Sequence, residues 1–307
     1  MDGNTLKHIF IVNPQAGRSD ASEAIRREVE VLRGGYDVEV YVTRYAGDGT
    51  RFVRGRCEEM KGMRCRFYAC GGDGTLNEVL TGMMGYEGAS LSCVPVGSGN
   101  DYVKYYGGRE AFLDLRRLMD GEERMVDVMR VNGSRYALNV CNFGFDAVAC
   151  RAMTEVRRKR VIGGRNAYTT GIVKALFKGR RTRCRVVVDG EEIHDGEMLL
   201  CTLGNGRYVG GAYQCSPQSL NDDGLIEVCL FKPLSLFRFA SMLKPYREGT
   251  FMERRALEGK MIYRRGRRVE VVSEEEIDFC VDGEMIRGQR FAVEQMPGAV
   301  KFVVPRQ

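Results

Sequence analysis

Residues 70–77 read Cys70-Gly71-Gly72-Asp73-Gly74-Thr75-Leu76-Asn77, a glycine-rich turn with an acid and a hydroxyl at its centre. Glycines let a backbone approach a polyanion and adopt positive φ, and the free N–H groups at a helix start favour negative charge. A phosphate chain suits such a turn. Asp73 adds information, because a carboxylate beside phosphate is repulsive unless a cation lies between them. The chemistry indicated is therefore that of Mg²⁺-nucleotide rather than bare phosphate. The same four letters occur earlier as Gly47-Asp48-Gly49-Thr50, so letters alone do not rank the two copies. On local spacing, a plain strand-to-helix bend and a phosphate cradle fit residues 71–75 equally well.

The elements around each copy separate them. The later turn follows Cys65-Arg66-Phe67-Tyr68-Ala69-Cys70, which reads as a strand, and precedes Leu76, Val79, Leu80 and Met83 on one helix face. The earlier copy reads as a helix start, with Asp48 expected as N-cap of the helix carrying Phe52, Val53 and Met60. The first 125 residues alternate in this way: strand 8–12 into Asn13-Pro14-Gln15-Ala16-Gly17-Arg18, a helix with Ile25, Val29 and Leu32, strand 38–43, helix 48–61, strand 65–70, helix 75–84, and strand 91–96 into Gly97-Ser98-Gly99-Asn100-Asp101. That alternation predicts a parallel α/β layer with three loops at the carboxyl ends of its strands, where open α/β sheets bind ligands. From about residue 126 the pattern turns to short strands separated by Asn-Gly and Asp-Gly turns, which predicts an antiparallel, sandwich-like domain. Residues 151–178 read as helical and basic, and Leu234–Leu243 as a second apolar helical stretch.

Composition bounds the remainder. A chain of 307 residues with 44% hydrophobic residues has room for two domains, each with a core. No apolar stretch approaches a membrane span, and Ile9-Phe10-Ile11-Val12 is too short for a signal core, so a cytoplasmic location is expected. Eleven cysteines without a C-x-x-C pair suit reduced, buried thiols. With His8 and His194 as the only histidines, acid–base chemistry falls to carboxylates. The net charge of +6 is clustered at Arg157–Arg160, Lys178–Arg183, Arg254-Arg255 and Arg264–Arg268. Such runs suit reversible docking on an anionic membrane surface; no RNA motif or zinc finger accompanies them, so nucleic acid is not expected as a partner.

Several blocks keep a telling order: Asn13-Pro14 with Gly17, Gly71–Thr75 with Asn77-Glu78, Pro95-Val96-Gly97-Ser98-Gly99-Asn100-Asp101, Asn142-Phe143-Gly144-Phe145-Asp146-Ala147, Asp222-Asp223-Gly224-Leu225 and Asp282-Gly283-Glu284. Together they resemble the soluble diacylglycerol kinase catalytic family, which includes bacterial lipid kinases and sphingosine kinases. The resemblance spans nearly the whole chain. It implies an ATP:lipid phosphotransferase with an α/β domain of NAD-kinase-like parallel sheet (residues 1–125 and 295–307), an all-β sandwich domain (126–294) on the lipid-acceptor side, and a cleft between them. It further implies that ATP is held by Asn13, Pro14, Gln15, Ala16, Gly17, Thr43, Gly72, Asp73, Gly74, Thr75, Leu76, Asn77, Glu78 and Ser98. Ser98 stands where threonine is usual among bacterial members, and it keeps the hydroxyl.

The resemblance also implies a structural Mg²⁺ on Asp223 and the backbone oxygens of Leu220 and Leu225. For the chemistry, Asp73 and Asp101 are expected to hold Mg²⁺ through water, Glu284 to take the acceptor proton, and Asp282 to tie the metal network together. Residue by residue, without the resemblance, Asp282-Gly283-Glu284 reads first as an ordinary hairpin turn. The expected partners are a lipid substrate in a membrane and an anionic membrane surface, with a homodimer open as an assembly. Diacylglycerol is the default acceptor; phosphatidylglycerol, monoacylglycerol and sphingoid bases are alternatives. Two rival functions stand beside this one: an NAD kinase-like phosphotransferase with a soluble acceptor, and a non-catalytic nucleotide-binding protein that docks on membranes. Loss of the acids would mark the latter, and Asp73, Asp101, Asp282 and Glu284 are all present.

Overall fold

The structure, a computed structural model, describes residues 6–17, 20–148 and 181–306. These fall into two units, Met1–Val128 with Pro297–Gln307, and Met129–Met296. In the first, three runs are almost wholly buried, β1 (Lys7–Val12), β3 (Cys65–Gly71) and β4 (Ala89–Pro95), as continuous apolar strands covered on both faces must be. β2 (Asp37–Val42), with Asp37 and Glu39 in it, is only partly buried. The four strands pair in parallel in the order β2-β1-β3-β4, and Lys301 and Phe302 of β14 (Glu284–Val304) add a fifth parallel partner beside Ser90 and Leu91 of β4. α1 (Ser22–Leu32), α2 (Asp48–Glu59) and α3 (Asp73–Met83) form the crossovers, and a short α4 (Leu115–Met119) follows β4. Strand order reverses between β1 and β3, so the loops after those two strands flank a topological switch point.

Gly47, left-handed at φ 85, is the residue that caps α2, and Asp48 is its first helical residue. This corrects the expected Asp48 cap. The buried Asp48 carboxylate instead accepts from the Arg44 N–H and the Tyr41 hydroxyl, each at 2.9 Å, and pairs with Arg51 at 3.1 Å. It fixes the turn before the helix from inside.

The second unit is antiparallel: the end of β5 (Glu122–Val131) pairs with β6 (Arg135–Ala137), and β8 (Thr182–Val188) pairs with β9 (Glu191–Met198). β13 (Arg268–Val281) pairs along its length with β14, and its irregularity between Val272 and Ile277 lets it change its other partner. Residues 269–272 pair with β8 (Thr182–Val188), whereas residues 279–281 pair with β7 (Val140–Gly144). β7 continues through β10 (Leu200–Gly204) and β11 (Ile226–Phe231) to β12 (Met261–Gly266). This bend folds the sheet over a core of Phe143, Val186, Leu203, Val228, Phe279 and Val293. The architecture is thus a parallel α/β layer and a β-sandwich. All ten cysteines among the described residues are buried thiols. The helix expected over 151–178 lies outside the described residues.

His8, 3% exposed, lies on β1 with its Nδ1 2.7 Å from the Tyr68 hydroxyl. Burial first, and the Arg66 charge second, push its imidazole from the ordinary 6.5 down to about 4. Neutral His8 favours the folded chain, while the unfolded chain takes up a proton below pH 6.5. Its contribution, on the order of 3 kcal/mol, is whole above pH 6.5 and drains away as the pH falls toward 4. Thermal melts across that window should therefore fall more steeply for the wild type than for His8→Gln; parallel curves would rule His8 out as the source.

Candidate functional site

Both loops after the central strands are drawn together by backbone contacts that only glycine permits. Gly97 N–H donates to Gly71 C=O at 2.9 Å, and the Asp73 N–H to Gly99 C=O at 3.3 Å. A Cβ on Gly97 would sit 2.4 Å from Gly72 Cα, and one on Gly72 would sit 2.8 Å from Gly99 O. Thus the turn after β3 and the turn after β4 interlock as backbone against backbone. The third loop joins them: Asn13 N–H donates to Cys70 C=O at 3.0 Å, and Asn13 Nδ2 to Thr75 Oγ1 at 3.2 Å. Asn13 Oδ1 also accepts from the Gln15 N–H at 3.0 Å, which turns the Pro14-Gln15-Ala16 segment. Gly17, at φ 80, comes so near Val96 that a Cβ would lie 2.4 Å from its carbonyl oxygen.

Asp73, Gly74 and Thr75 open α3, so their N–H groups lie at the helix's positive end. The Asp73 carboxylate accepts from the Asp101 N–H at 2.9 Å, which sets two acids side by side, and Lys104 pairs with Asp101 at 2.5 Å. Ser98 is exposed on the β4 loop; Thr43 is buried at the end of β2, its N–H donating to Val12 C=O at 2.9 Å. Leu76 is buried in α3, and Asn77 lies half-buried behind it. Glu78 turns toward α2, its two oxygens accepting from the Gly47 and Gly49 N–H groups at 2.8 and 3.1 Å. It braces the neighbouring helix start. Of the residues expected to hold nucleotide, the structure thus brings together Asn13–Gly17, Gly72–Thr75 and Ser98 around three carboxyl-end loops. The interlocked glycines leave backbone rather than side chains facing a ligand, which fits a polyphosphate. Carboxylates such as those of Asp73 and Asp101 are hard oxygen donors of the kind Mg²⁺ takes.

In the second unit, Asp282 and Gly283 have φ 47 and 92, the two-residue turn that joins β13 to β14. The Asp282 carboxylate accepts from the N–H groups of Leu138, Asn139 and Val140 at 2.7, 3.1 and 2.9 Å. The hairpin turn is therefore present, and Asp282 anchors the backbone that leads into β7. Glu284 opens β14 and is exposed.

Asp223 has donors on both oxygens. The Leu225 N–H reaches one at 3.0 Å and the Arg265 guanidinium holds the other, while Arg265 Nε lies 2.9 Å from Oε1 of buried Glu227. Burial is the first cause raising the Glu227 carboxyl. The Leu225 carbonyl accepts from Gln295 at 3.4 Å, and Leu220 is exposed. In this arrangement the Arg265 guanidinium occupies the Asp223 oxygen that the expected cation would take. No group of three or more His, Cys, Asp or Glu among the described residues is placed to hold a metal.

Sequence reasoning assigned Asp146 no role. Its carboxyl accepts from the Tyr246 hydroxyl at 2.8 Å, and burial pushes it from 3.8 up to about 6. A group titrating near neutrality beside an apolar cluster is a functional candidate. The one signal for it was an acid inside the apolar Phe143-Gly144-Phe145-Asp146-Ala147 run.

Comparison with known proteins gives a consistent result. Residues 7–131 match the family described as the diacylglycerol kinase catalytic domain, and residues 139–304 the YegS C-terminal NAD kinase beta sandwich-like domain. A "Probable lipid kinase YegS" of Escherichia fergusonii is 30% identical over 94% of each chain. A "Probable lipid kinase YegS-like" protein of Pectobacterium atrosepticum is 28% identical over 100% of this chain and 98% of its own length. A solved structure described as a diacylglycerol kinase from Bacillus anthracis superposes with a TM-score of 0.70 at 19% identity, covering 97% of this chain and 96% of that one, which speaks for the fold.

Two outcomes follow from this geometry. Gly97→Ala should cost about 2 kcal/mol in a thermal melt, whereas Gly74→Ala, whose Cβ meets nothing, should melt at or above wild type. An equal melt for Gly97→Ala would sink the interlock. Separately, EDTA should leave the wild-type melt unchanged, and Arg265→Gln should lower it by about 2 kcal/mol by stranding Glu227. An Arg265→Gln melt equal to that of the wild type would mean that Arg265 does not hold that loop.

Proposed function

The chain belongs to the family in which a diacylglycerol kinase catalytic domain is followed by a YegS C-terminal domain, and from that premise we propose that it is an ATP-dependent lipid kinase whose acceptor is diacylglycerol. The observation that carries the phosphotransferase part is the Gly72/Gly97 interlock, with Asp73 and Asp101 beside it. Phosphoryl transfer asks mainly for positioning and charge neutralisation, and this site offers both. Backbone N–H groups at the start of α3 orient the phosphates; Asn13 and Thr75 hold the loops in register. Asp73 and Asp101 would hold Mg²⁺, which when bound neutralises the phosphate oxygens. Lys104 beside Asp101 fixes that carboxylate.

Transfer then balances as follows. The acceptor hydroxyl oxygen bonds to the γ-phosphorus, the bond from that phosphorus to the β–γ bridging oxygen breaks, and ADP leaves. Glu284 takes the hydroxyl proton, and Asp282 acts as a positioning residue that keeps the Glu284 turn tied to residues 138–140. Family membership supports a lipid acceptor, and diacylglycerol as its first candidate is our reading.

Incubation of the full chain with labelled ATP and Mg²⁺ against diacylglycerol, phosphatidylglycerol, monoacylglycerol and sphingoid-base micelles, with NAD in a separate tube, tests this. Label is expected in phosphatidic acid. Label in NAD alone would overturn a lipid acceptor, and label in another lipid would replace diacylglycerol. Glu284→Gln should lower kcat by a factor of about 10² to 10⁴ with ATP affinity unchanged; wild-type turnover would remove Glu284 as the base.

A further inference from the structure

One element of the second unit has no part in that chemistry. α5 (Leu236–Glu248) starts at Ser235, whose side chain accepts from the Arg238 N–H at 3.4 Å, and stops at Gly249, left-handed at φ 72. Its inner face, Phe239, Met242, Pro245 and Tyr246, is buried. It packs in an apolar cluster with Phe145, Phe231 and Phe251. That face satisfies the helix. Yet its first turn also carries Leu236 at 57% and Phe237 at 84% exposure, the latter the most exposed large apolar side chain among the described residues. The other exposed apolar side chains stand singly, as surface residues commonly do.

Around this pair the charge is one-sided. Residues 232–260 hold seven Lys and Arg against three Glu. On the exposed side of the helix, apolar Leu236 and Phe237 give way to small Ala240 and Ser241 and then to Lys244. Arg238 is exposed in the same turn as Phe237, and no acid occurs in α5 before Glu248. Long basic side chains beside an apolar tip match a headgroup layer over acyl chains. A second copy docking by the same face would set like charges opposite each other, which disfavours self-association there.

We propose that the first turn of α5 is the membrane-docking element, with Leu236 and Phe237 entering the interfacial region of an anionic bilayer while Lys232, Arg238 and Lys244 stay among the headgroups. Its purpose rests on the lipid-kinase reading, since a membrane lipid must be reached; its test uses neither ATP nor acceptor. The chain contains no tryptophan, so Phe237→Trp creates a single fluorescent reporter. With vesicles of phosphatidylcholine and phosphatidylglycerol, its emission should shift to the blue and be quenched by brominated acyl chains. Val31→Trp, on exposed α1, should stay unchanged. Leu236→Ser/Phe237→Ser, with an unaltered melt and circular dichroism, should sediment with these vesicles at least tenfold more weakly than wild type, and raised salt should weaken wild-type binding further.

Unchanged Phe237→Trp emission overturns the proposal, as does wild-type sedimentation of the double serine variant. A blue shift that grows with protein concentration in the absence of vesicles would assign the turn to a second copy instead. If docking fails while lipid is phosphorylated in detergent micelles, only this inference falls. If docking holds and no lipid is phosphorylated, the kinase reading falls and the docking surface stands.

Discussion

Gly72 and Gly97 approach so closely that an added Cβ on the latter would lie 2.4 Å from the former's backbone, and the nucleotide-side geometry depends on that contact. It clamps the exit of β3 against the exit of β4. Once clamped, the Asp73 N–H and Gly99 C=O meet, and the Asp73 carboxylate lies within reach of the Asp101 N–H. The Asn13 loop then closes on Thr75. Three loops on three strands therefore behave as one rigid lining. A phosphate chain bound there finds its donors already oriented, so little ordering cost is left for the moment of binding.

The acids in the quoted motifs show how little a carboxylate's presence says about its work. Asp48, Glu78 and Asp282 each accept backbone N–H groups, and Asp223 pairs with Arg265. Each holds a turn or a helix start that the chain could not otherwise keep in register. Asp73 and Asp101 differ, because a hydrogen bond from the Asp101 N–H to the Asp73 carboxylate ties together the loops at the carboxyl ends of two adjacent strands. Position at the carboxyl ends of the parallel strands, more than residue type, sets this pair apart from the other acids.

Much of this was legible in the sequence. The buried runs at 9–12, 65–71 and 89–95 are apolar enough that parallel strands follow, and the Asp-Gly pair at 282–283 gives its two-residue turn. The interlock was not legible, since it depends on two loops 25 residues apart meeting backbone to backbone. Nor were the partners of Asp282 and Asp223, both set by strand register in the antiparallel unit, where one residue of slip moves every contact. Asp48 misled for a simpler reason: Gly47 takes the cap position one residue back, and the Asp48 carboxylate turns inward to the Arg44 N–H and the Tyr41 hydroxyl. Asp146 escaped notice because its shifted carboxyl depends on Tyr246, 100 residues away.

The last strand shows how the chain economises on elements. Residues 284–294 of β14 pair with β13, and Lys301 and Phe302 pair with β4 in the other unit. Ser92 Oγ donates to Val303 C=O at 2.8 Å, and Phe302 lies against Tyr102 and Tyr106 in the segment that follows Asp101. The end of the chain thus backs the loop that carries the second acid. Mutations in residues 300–304 would act on the three-loop lining through Tyr102 and the backbone of Asp101. This coupling follows from strand order, because β4 offers a free edge and a parallel partner can reach it only after the chain has passed through the whole second unit.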